Sequence, residues 1–412
     1  METLAIDGGN PVRKKPFPFR GLLGLEEKEA LNNLIDESLR DGIPVGYNGK
    51  WEQQYEKEFA DFMGGGYADA VNSGTNAVFC ALGGLELEPF SEVIVPPVTD
   101  PGGVMPVVFV GCIPVFADSD PETYNISAEG ISKAVTPRTK AVIVAHISGD
   151  PADMDSILDV AEKNDLYVIE DCAQAHGALY KGKLAGTMGH YGVFSTMFGK
   201  HHSTGGQGGV VYSRDEALHM RARRFADRGK PFGIDSPGNV TAGLNCNLSD
   251  LSAVLGSTQL AKLPEFLKRR RQFAEMIYSG IEELASISRP TSLPDTESAY
   301  WFLKFRINFD NIKVDKKQFC DAVTAEGIPI MPDYRHIQCE TPWFKNKKVF
   351  GKGGFPWNNP EYKGDREPVF ELPNIETMCG THFNLSIHER WGREEADSIL
   401  KAFKKVDNAY IK

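Results

Sequence analysis

No stretch of this 412-residue chain approaches the roughly 18 consecutive apolar residues expected of a membrane-spanning helix. The first residues likewise lack the apolar core of a secretory signal, so a cytoplasmic protein is expected. Positive charge is in deficit: 45 Lys and Arg stand against 56 Asp and Glu, a net charge of −11. Binding a phosphate backbone needs the opposite balance, so neither nucleic acid nor membrane is an expected partner. Paired cysteines are also missing. Cys80, Cys112, Cys172, Cys246, Cys320, Cys339 and Cys379 are odd in number and widely spread, without the spacing of a zinc or iron–sulfur site. Reduced, packed thiols and no metal are the expectation. Internal repeats and low-complexity tracts are absent as well.

What the chain does carry is a series of short, β-branched apolar runs at 92–96, 106–110, 114–117, 141–145 and 166–170, with helix-like segments at 128–135 and 154–163 between some of them. Continuous apolar strands separated by helices predict an α/β fold with a mostly parallel sheet covered on both faces. Helical spacing also marks 26–38, 51–62, 316–326 and 393–406. The pattern at 251–266 continues through Lys268–Tyr278 as a long, charged helix bridging into a smaller C-terminal α+β unit. Residues 1–265, including an N-terminal arm, are expected to form the large unit and 266–412 the small one. Residues 345–365, rich in Gly, Pro, Asn and Lys, read as a mobile loop or insertion.

Three stretches carry chemistry. In Phe194-Ser-Thr-Met-Phe-Gly-Lys200-His-His-Ser-Thr-Gly-Gly-Gln-Gly-Gly209 a single lysine stands between an apolar strand end and a glycine-rich return. Most lysines are solvated surface charges, but one held in a partly desolvated pocket loses its proton readily and becomes an amine nucleophile. In Leu166-Tyr-Val-Ile-Glu-Asp171-Cys-Ala-Gln174-Ala-His-Gly177 an apolar strand ends in two carboxylates, at the strand end where open α/β sheets bind ligands. Asp171 there suits the pyridine nitrogen of pyridoxal phosphate, whose protonation makes the ring an electron sink. In Asn72-Ser-Gly74-Thr75-Asn76 a turn opens an apolar helix, whose free amides and dipole receive a phosphate. The adjacent His201 and His202 have no carboxylate or cysteine nearby to complete a metal site, and His146 ends a strand near the proposed site, where satisfying a loop is the favoured role.

Taken in this order, these stretches resemble the DegT/StrS-type family of pyridoxal-phosphate enzymes, mostly sugar aminotransferases, over nearly the whole chain. The resemblance implies the aspartate aminotransferase-like fold type I. It implies Lys200 as the residue forming the internal aldimine and serving as general base, and Asp171 as partner of the pyridine nitrogen. Gln174 would lie near the ring 3-oxygen, and Gly74, Thr75 and Ser195 would hold the phosphate. Asn245, in Gly243-Leu-Asn-Cys-Asn247, matches the residue that reaches the phosphate of the other subunit, so a homodimer with shared sites is implied. Tyr47 and Asp100 are expected substrate contacts.

The chain departs from that family at three places. Asp100 follows Thr99 where the family usually has an aromatic residue to stack on the cofactor. The return after Lys200 reads Thr204-Gly-Gly-Gln-Gly-Gly209 rather than the shorter Thr-Gly-Glu-Gly-Gly, and Asn247 replaces a common arginine. The expected reaction is amino transfer from glutamate or glutamine to a keto sugar, nucleotide-linked in the leading reading. A keto-cyclitol acceptor, a pyridoxal-phosphate sugar dehydratase and a non-catalytic cofactor-binding protein are the alternatives. Because some relatives replace the lysine by histidine and dehydrate, Lys200 argues for the aminotransferase.

Overall fold

The computed structural model describes residues 2–334 and 336–412. Seven strands form the central sheet, in the order Tyr67–Val71, Gly209–Ser213, Tyr191–Ser195, Tyr167–Asp171, Thr139–Ala145, Glu92–Val95, Ile113–Phe116. Gly209–Ser213 runs antiparallel to both neighbours and the other pairs are parallel. Residues of alternate facing, such as Val93 and Ile94, Val142 and Ile143, or Val168 and Ile169, are all buried. Both faces of the sheet are therefore covered, which is why the strands read as continuous apolar runs. Helices begin where polar caps permit: Ser73 Oγ accepts from Asn76 N (3.1 Å), Ser127 Oγ from Gly130 N (3.0 Å) and Asp215 Oδ1 from Leu218 N (3.0 Å).

One expected strand is a helix. The run 106–110 lies within and just after the helix Met105–Phe109, which Pro106 helps to open because its missing amide proton costs nothing in a first turn. Five apolar residues satisfy a buried helical turn as well as a strand, and this segment is buried at Pro106, Val107 and Val108.

The helix Asp250–Gly280 runs unbroken through position 265 despite Pro264 and carries the chain to a four-stranded antiparallel sheet, Ile287–Ser288, Phe302–Ile307, His382–Ser386 and Ile330–Met331. Phe305, Phe319, Phe383 and Phe403 pack between this sheet and the helices Lys316–Ala325 and Arg393–Tyr410. The N-terminal arm divides its contacts: Leu4 joins this C-terminal core and Arg13 pairs with Glu395 (3.2 Å), whereas Arg20 reaches the loop that carries Lys200. Within 345–365, Trp357 and Tyr362 are buried against the large core, and Tyr362 Oη donates to Glu92 Oε1 (2.9 Å). Phe344 packs on Phe116 of the outermost strand, so the segment that opens the insertion covers a sheet edge.

Candidate active site

Asp171 ends one strand and Ser195 ends its parallel neighbour, so the sheet delivers both to one edge. Successive strand residues face opposite sides, and Glu170 and Asp171 part accordingly. Glu170 accepts four hydrogen bonds, from Gly186 N (2.8 Å), Met188 N (2.7 Å), Gly189 N (2.6 Å) and His146 Nε2 (3.1 Å). His146 Nδ1 accepts from Ala152 N (3.0 Å), which leaves the ring proton on Nε2 facing Glu170. His146 thus serves the loop. Ligand atoms of His146, Glu170 and Cys172 lie within 4.8 Å of one another, but the four bonds consume the lone-pair directions of Glu170 that an ion would need.

Asp171 is far less provided for. Its Oδ1 accepts from Ala173 N (3.0 Å), and a Cβ on Gly103 would stand 3.0 Å from Oδ2. Burial pushes its pKa up, while the Ala173 amide and Lys200 work in the opposite direction. Lys200, partly buried, holds Nζ 4.7 Å from the centroid of the Trp301 ring. Burial draws the lysine below its ordinary value, against the pull of Asp171 and Asp100. The amine is thereby brought nearer to its neutral, nucleophilic form.

His201 and His202 both pack on the His176 ring, with centroids at 5.6 and 4.9 Å, and bond to different partners. His201 Nε2 donates to Ala299 O (3.0 Å), and His202 bridges Tyr55 Oη (2.9 Å) and His176 Nδ1 (2.9 Å). Burial holds all three imidazoles far below their usual range, so they are neutral supports of the lysine loop.

The helix Gly74–Gly84 starts against Ser195: a Cβ on Gly74 would lie 2.5 Å from Ser195 Cβ. This is a close approach that only glycine permits. The amides of Gly74 and Thr75, first in the helix, have no carbonyl partner within it and are free for an anion. Thr75 Oγ1 borders the neighbouring turn, where a Cβ on Gly102 would collide with it. Asp100 opens that turn, Pro101–Gly103, by accepting from Gly102 N (2.9 Å), and is exposed. Its charge reaches Lys200, Asp171 and Tyr334.

Gln174 is held at both ends, Oε1 accepting from Ser148 N (2.8 Å) and Nε2 donating to Tyr334 Oη (2.9 Å). Ser148 adopts a left-handed φ of 67° followed by Gly149 at 89°. That turn lets Ser148 O accept from Trp301 N (2.7 Å), which brings the C-terminal unit onto the site. Tyr334 lies in the loop segment 333–357 that the sequence offers, with Tyr47 and Asp100, as pocket-forming. Trp301 was not singled out by the sequence, since it arrives from more than a hundred residues downstream of Asp171 with no local pattern.

The remaining two candidates stand elsewhere. Tyr47 Oη accepts from Arg228 Nη2 (2.8 Å) and its ring faces the Lys230 ammonium at 5.1 Å. Asn245, exposed, accepts from Asn247 Nδ2 (2.8 Å) and forms a β-bridge with Asp227. Among the described residues neither hydrogen-bonds to Lys200 or Asp171. The next residue, Cys246, accepts from Asn72 N (2.7 Å), which ties this segment to the start of the anion-binding turn.

The donor set suits pyridoxal phosphate: free helix-start amides and Ser195 for an anion, a buried carboxylate for a protonated ring nitrogen, and an amine for an aldehyde. The profile of the DegT/DnrJ/EryC1/StrS aminotransferase family matches residues 26–404. An L-glutamine:2-deoxy-scyllo-inosose aminotransferase of Micromonospora echinospora is 34% identical over 348 residues, 81% of this chain and 82% of that protein. A GDP-perosamine synthase of Escherichia coli O157:H7 is 34% identical over 278 residues, 68% of this chain and 74% of that protein. Among solved structures, an aminotransferase from Psychrobacter cryohalolentis superposes with a TM-score of 0.82 at 29% identity, covering 96% of this chain and 99% of its own. The protein is a member of the DegT/DnrJ/EryC1/StrS aminotransferase family.

Proposed function

We propose that this aminotransferase moves an amino group from glutamate or glutamine to the ketone of a sugar, nucleotide-linked, with pyridoxal 5'-phosphate bound at the site just described. The observation that carries the reading is the Lys200 amine, drawn toward its neutral form, beside the buried and sparsely bonded Asp171 at the ends of parallel strands. Once bound there, the cofactor supplies a ring that withdraws electrons from the carbon bearing the transferred nitrogen. Lys200 would hold the cofactor through its aldehyde and would serve as the base that moves the proton at the reacting carbon. Asp171 would keep the ring nitrogen protonated, and Gln174, fixed by Ser148 and Tyr334, would serve the ring 3-oxygen. Gly74, Thr75 and Ser195 hold the phosphate.

Asn245, exposed and without a role in its own subunit's site, reaches the phosphate of a second copy, so the working form is a homodimer with shared sites. Tyr47 and Asp100 contact substrate. Residues 1–265 and 266–412 act as the cofactor-binding and covering units, and seven free cysteines suit the cytoplasm. No helix among the described residues is long and apolar enough to cross a membrane. A keto-cyclitol is the second reading of the acceptor, favoured by the inosose aminotransferase, whose match covers more of this chain than that of the perosamine synthase. The relatives' names favour amination over dehydration.

The test is the absorbance of protein loaded with pyridoxal phosphate, before and after glutamine or glutamate. A visible band that gives way to a near-ultraviolet one on adding donor supports amino transfer. Bound cofactor that responds to neither donor contradicts it.

A further inference from the structure

The main chain around Lys200 is gripped from outside the sheet. Arg20, in the N-terminal arm, directs its guanidinium at three successive carbonyls: Nη1 donates to Gly199 O and Lys200 O, both at 2.6 Å, and Nη2 donates to His201 O at 3.0 Å. Its Nε donates to Glu389 Oε1 (2.8 Å). Glu389 Oε2 in turn accepts from Arg270 Nε (3.1 Å), and Arg270 Nη1 donates to Tyr300 O (2.9 Å) and Ile387 O (3.1 Å). The Arg20, Glu389 and Arg270 side chains are only 15%, 4% and 1% exposed.

The chemistry of this row is specific. Three carbonyls converging on one point need a donor with several N–H groups in a fixed plane, which arginine has and lysine lacks. Burial by itself would push Glu389 up, but Arg270 and Arg20 outweigh it and keep the carboxylate charged. Burial draws Arg270 down to about 10, so it remains a cation at neutral pH. The row therefore alternates positive, negative, positive and joins three distant segments: the arm, the long helix Asp250–Gly280 and the turn after His382–Ser386.

We propose that Arg20, oriented by Glu389 and Arg270, is a positioning residue for Lys200. A lysine ends in a flexible stem, so the place where its amine meets an aldehyde carbon is set by where its main chain is held. His201 and His202 hold the loop through their side chains, and Arg20 holds the carbonyls on either side of the lysine as well as its own. Because Glu389 and Ile387 belong to the C-terminal unit, the same contacts couple the lysine's placement to the seating of that unit. This inference rests on Lys200 being the lysine that captures the cofactor.

The test follows the rate at which added pyridoxal phosphate becomes a borohydride-reducible adduct on Lys200, identified by peptide mass, in the full-length protein. Circular dichroism reports the folded fraction for each variant. Misplacing a reacting group by about 1 Å costs on the order of 10²-fold. Arg20→Ala is therefore expected to capture cofactor about 10²-fold more slowly per folded molecule. Millimolar guanidinium chloride is expected to restore part of the rate, which a purely structural defect would not allow. Arg20→Lys and Glu389→Gln are expected to fall between the two. Capture at the wild-type rate by folded Arg20→Ala, or a loss that guanidinium deepens, overturns the proposal. If Arg20→Ala does not fold, wild-type rates in both Arg20→Lys and Glu389→Gln overturn it equally. A wild-type protein that forms no adduct on Lys200 removes the functional reading and this inference with it.

Discussion

Glu170 and Asp171 are neighbours in one strand, yet the two sides of the sheet use a buried carboxylate in opposite ways. Glu170 is saturated by three amides and His146, all fixed by the fold. Asp171 has a single amide, and its neighbour Lys200 stands in a loop with its amine over Trp301. A carboxylate whose bonds are all made is committed to structure. One left short of donors, where burial favours its neutral form, is set up to receive a cationic group such as a protonated pyridine nitrogen.

The contrast can be broken from either side. The largest effect is expected on the open side, where Lys200→Ala would remove, on the proposed reading, both the covalent anchor and the base. Since the base alone contributes about 10²–10⁴-fold, the loss of turnover should exceed that range. Asp171→Asn is next: it cannot hold the ring nitrogen protonated, and turnover should drop about 10²–10³-fold, as when a preorganised electrostatic partner is removed. Its melting temperature should stay level or rise, because burial already disfavours the charge at this position. A large fall in melting temperature would show that Asp171 is structural like its neighbour.

On the closed side the signs reverse. Glu170→Gln puts an amide NH₂ against backbone donors, and two amides left unpaired at roughly 1–3 kcal/mol each predict about 3 kcal/mol of lost stability. Cofactor capture by the folded fraction should be nearly unchanged. If Glu170→Gln melts like wild type but fails to capture cofactor, the division between the two faces is wrong.

The effect most remote from the site concerns a third buried carboxylate, Glu52. Burial first and Glu56 second push it up to about 8. Arg223 nearby is already paired with Glu56 (3.1 Å) and Asp69 (3.4 Å). The folded-state value lies above the ordinary 4.5, so its contribution to stability is complete below pH 4.5 and is lost as pH rises toward about 8. Unfolding free energy measured across that interval should fall with a slope of at most about 1.4 kcal/mol per pH unit from this group. Glu52→Gln should flatten the slope; an identical slope in the variant would assign it to other groups.

Much of the fold was legible in the sequence because its strands are buried on both faces. An apolar run such as 141–145 has few other uses when helix signals flank it. The run 106–110 failed for the same reason in reverse, since apolarity without alternation does not separate strand from helix. Residues 345–365 were legible as irregular, but not as anchored: the signal was the large apolar Trp357 within a glycine-rich loop, now buried. At the site, Lys200, Asp171 and the Ser73–Thr75 turn were visible through residue type and order, because their chemistry depends on the side chain itself or on a helix start. Trp301 and Arg20 were not, and Tyr334 was visible only as part of the pocket-forming loop 333–357. Their roles depend on contacts over long sequence separations, and for Arg20 on carbonyls that every residue possesses.

The most direct test of the account is borohydride reduction of the protein mixed with pyridoxal phosphate, followed by mapping of the modified peptide. A single pyridoxyl group on Lys200, absent from Lys200→Ala, is the predicted result. Labelling at another lysine, or equal labelling in Lys200→Ala, would contradict it.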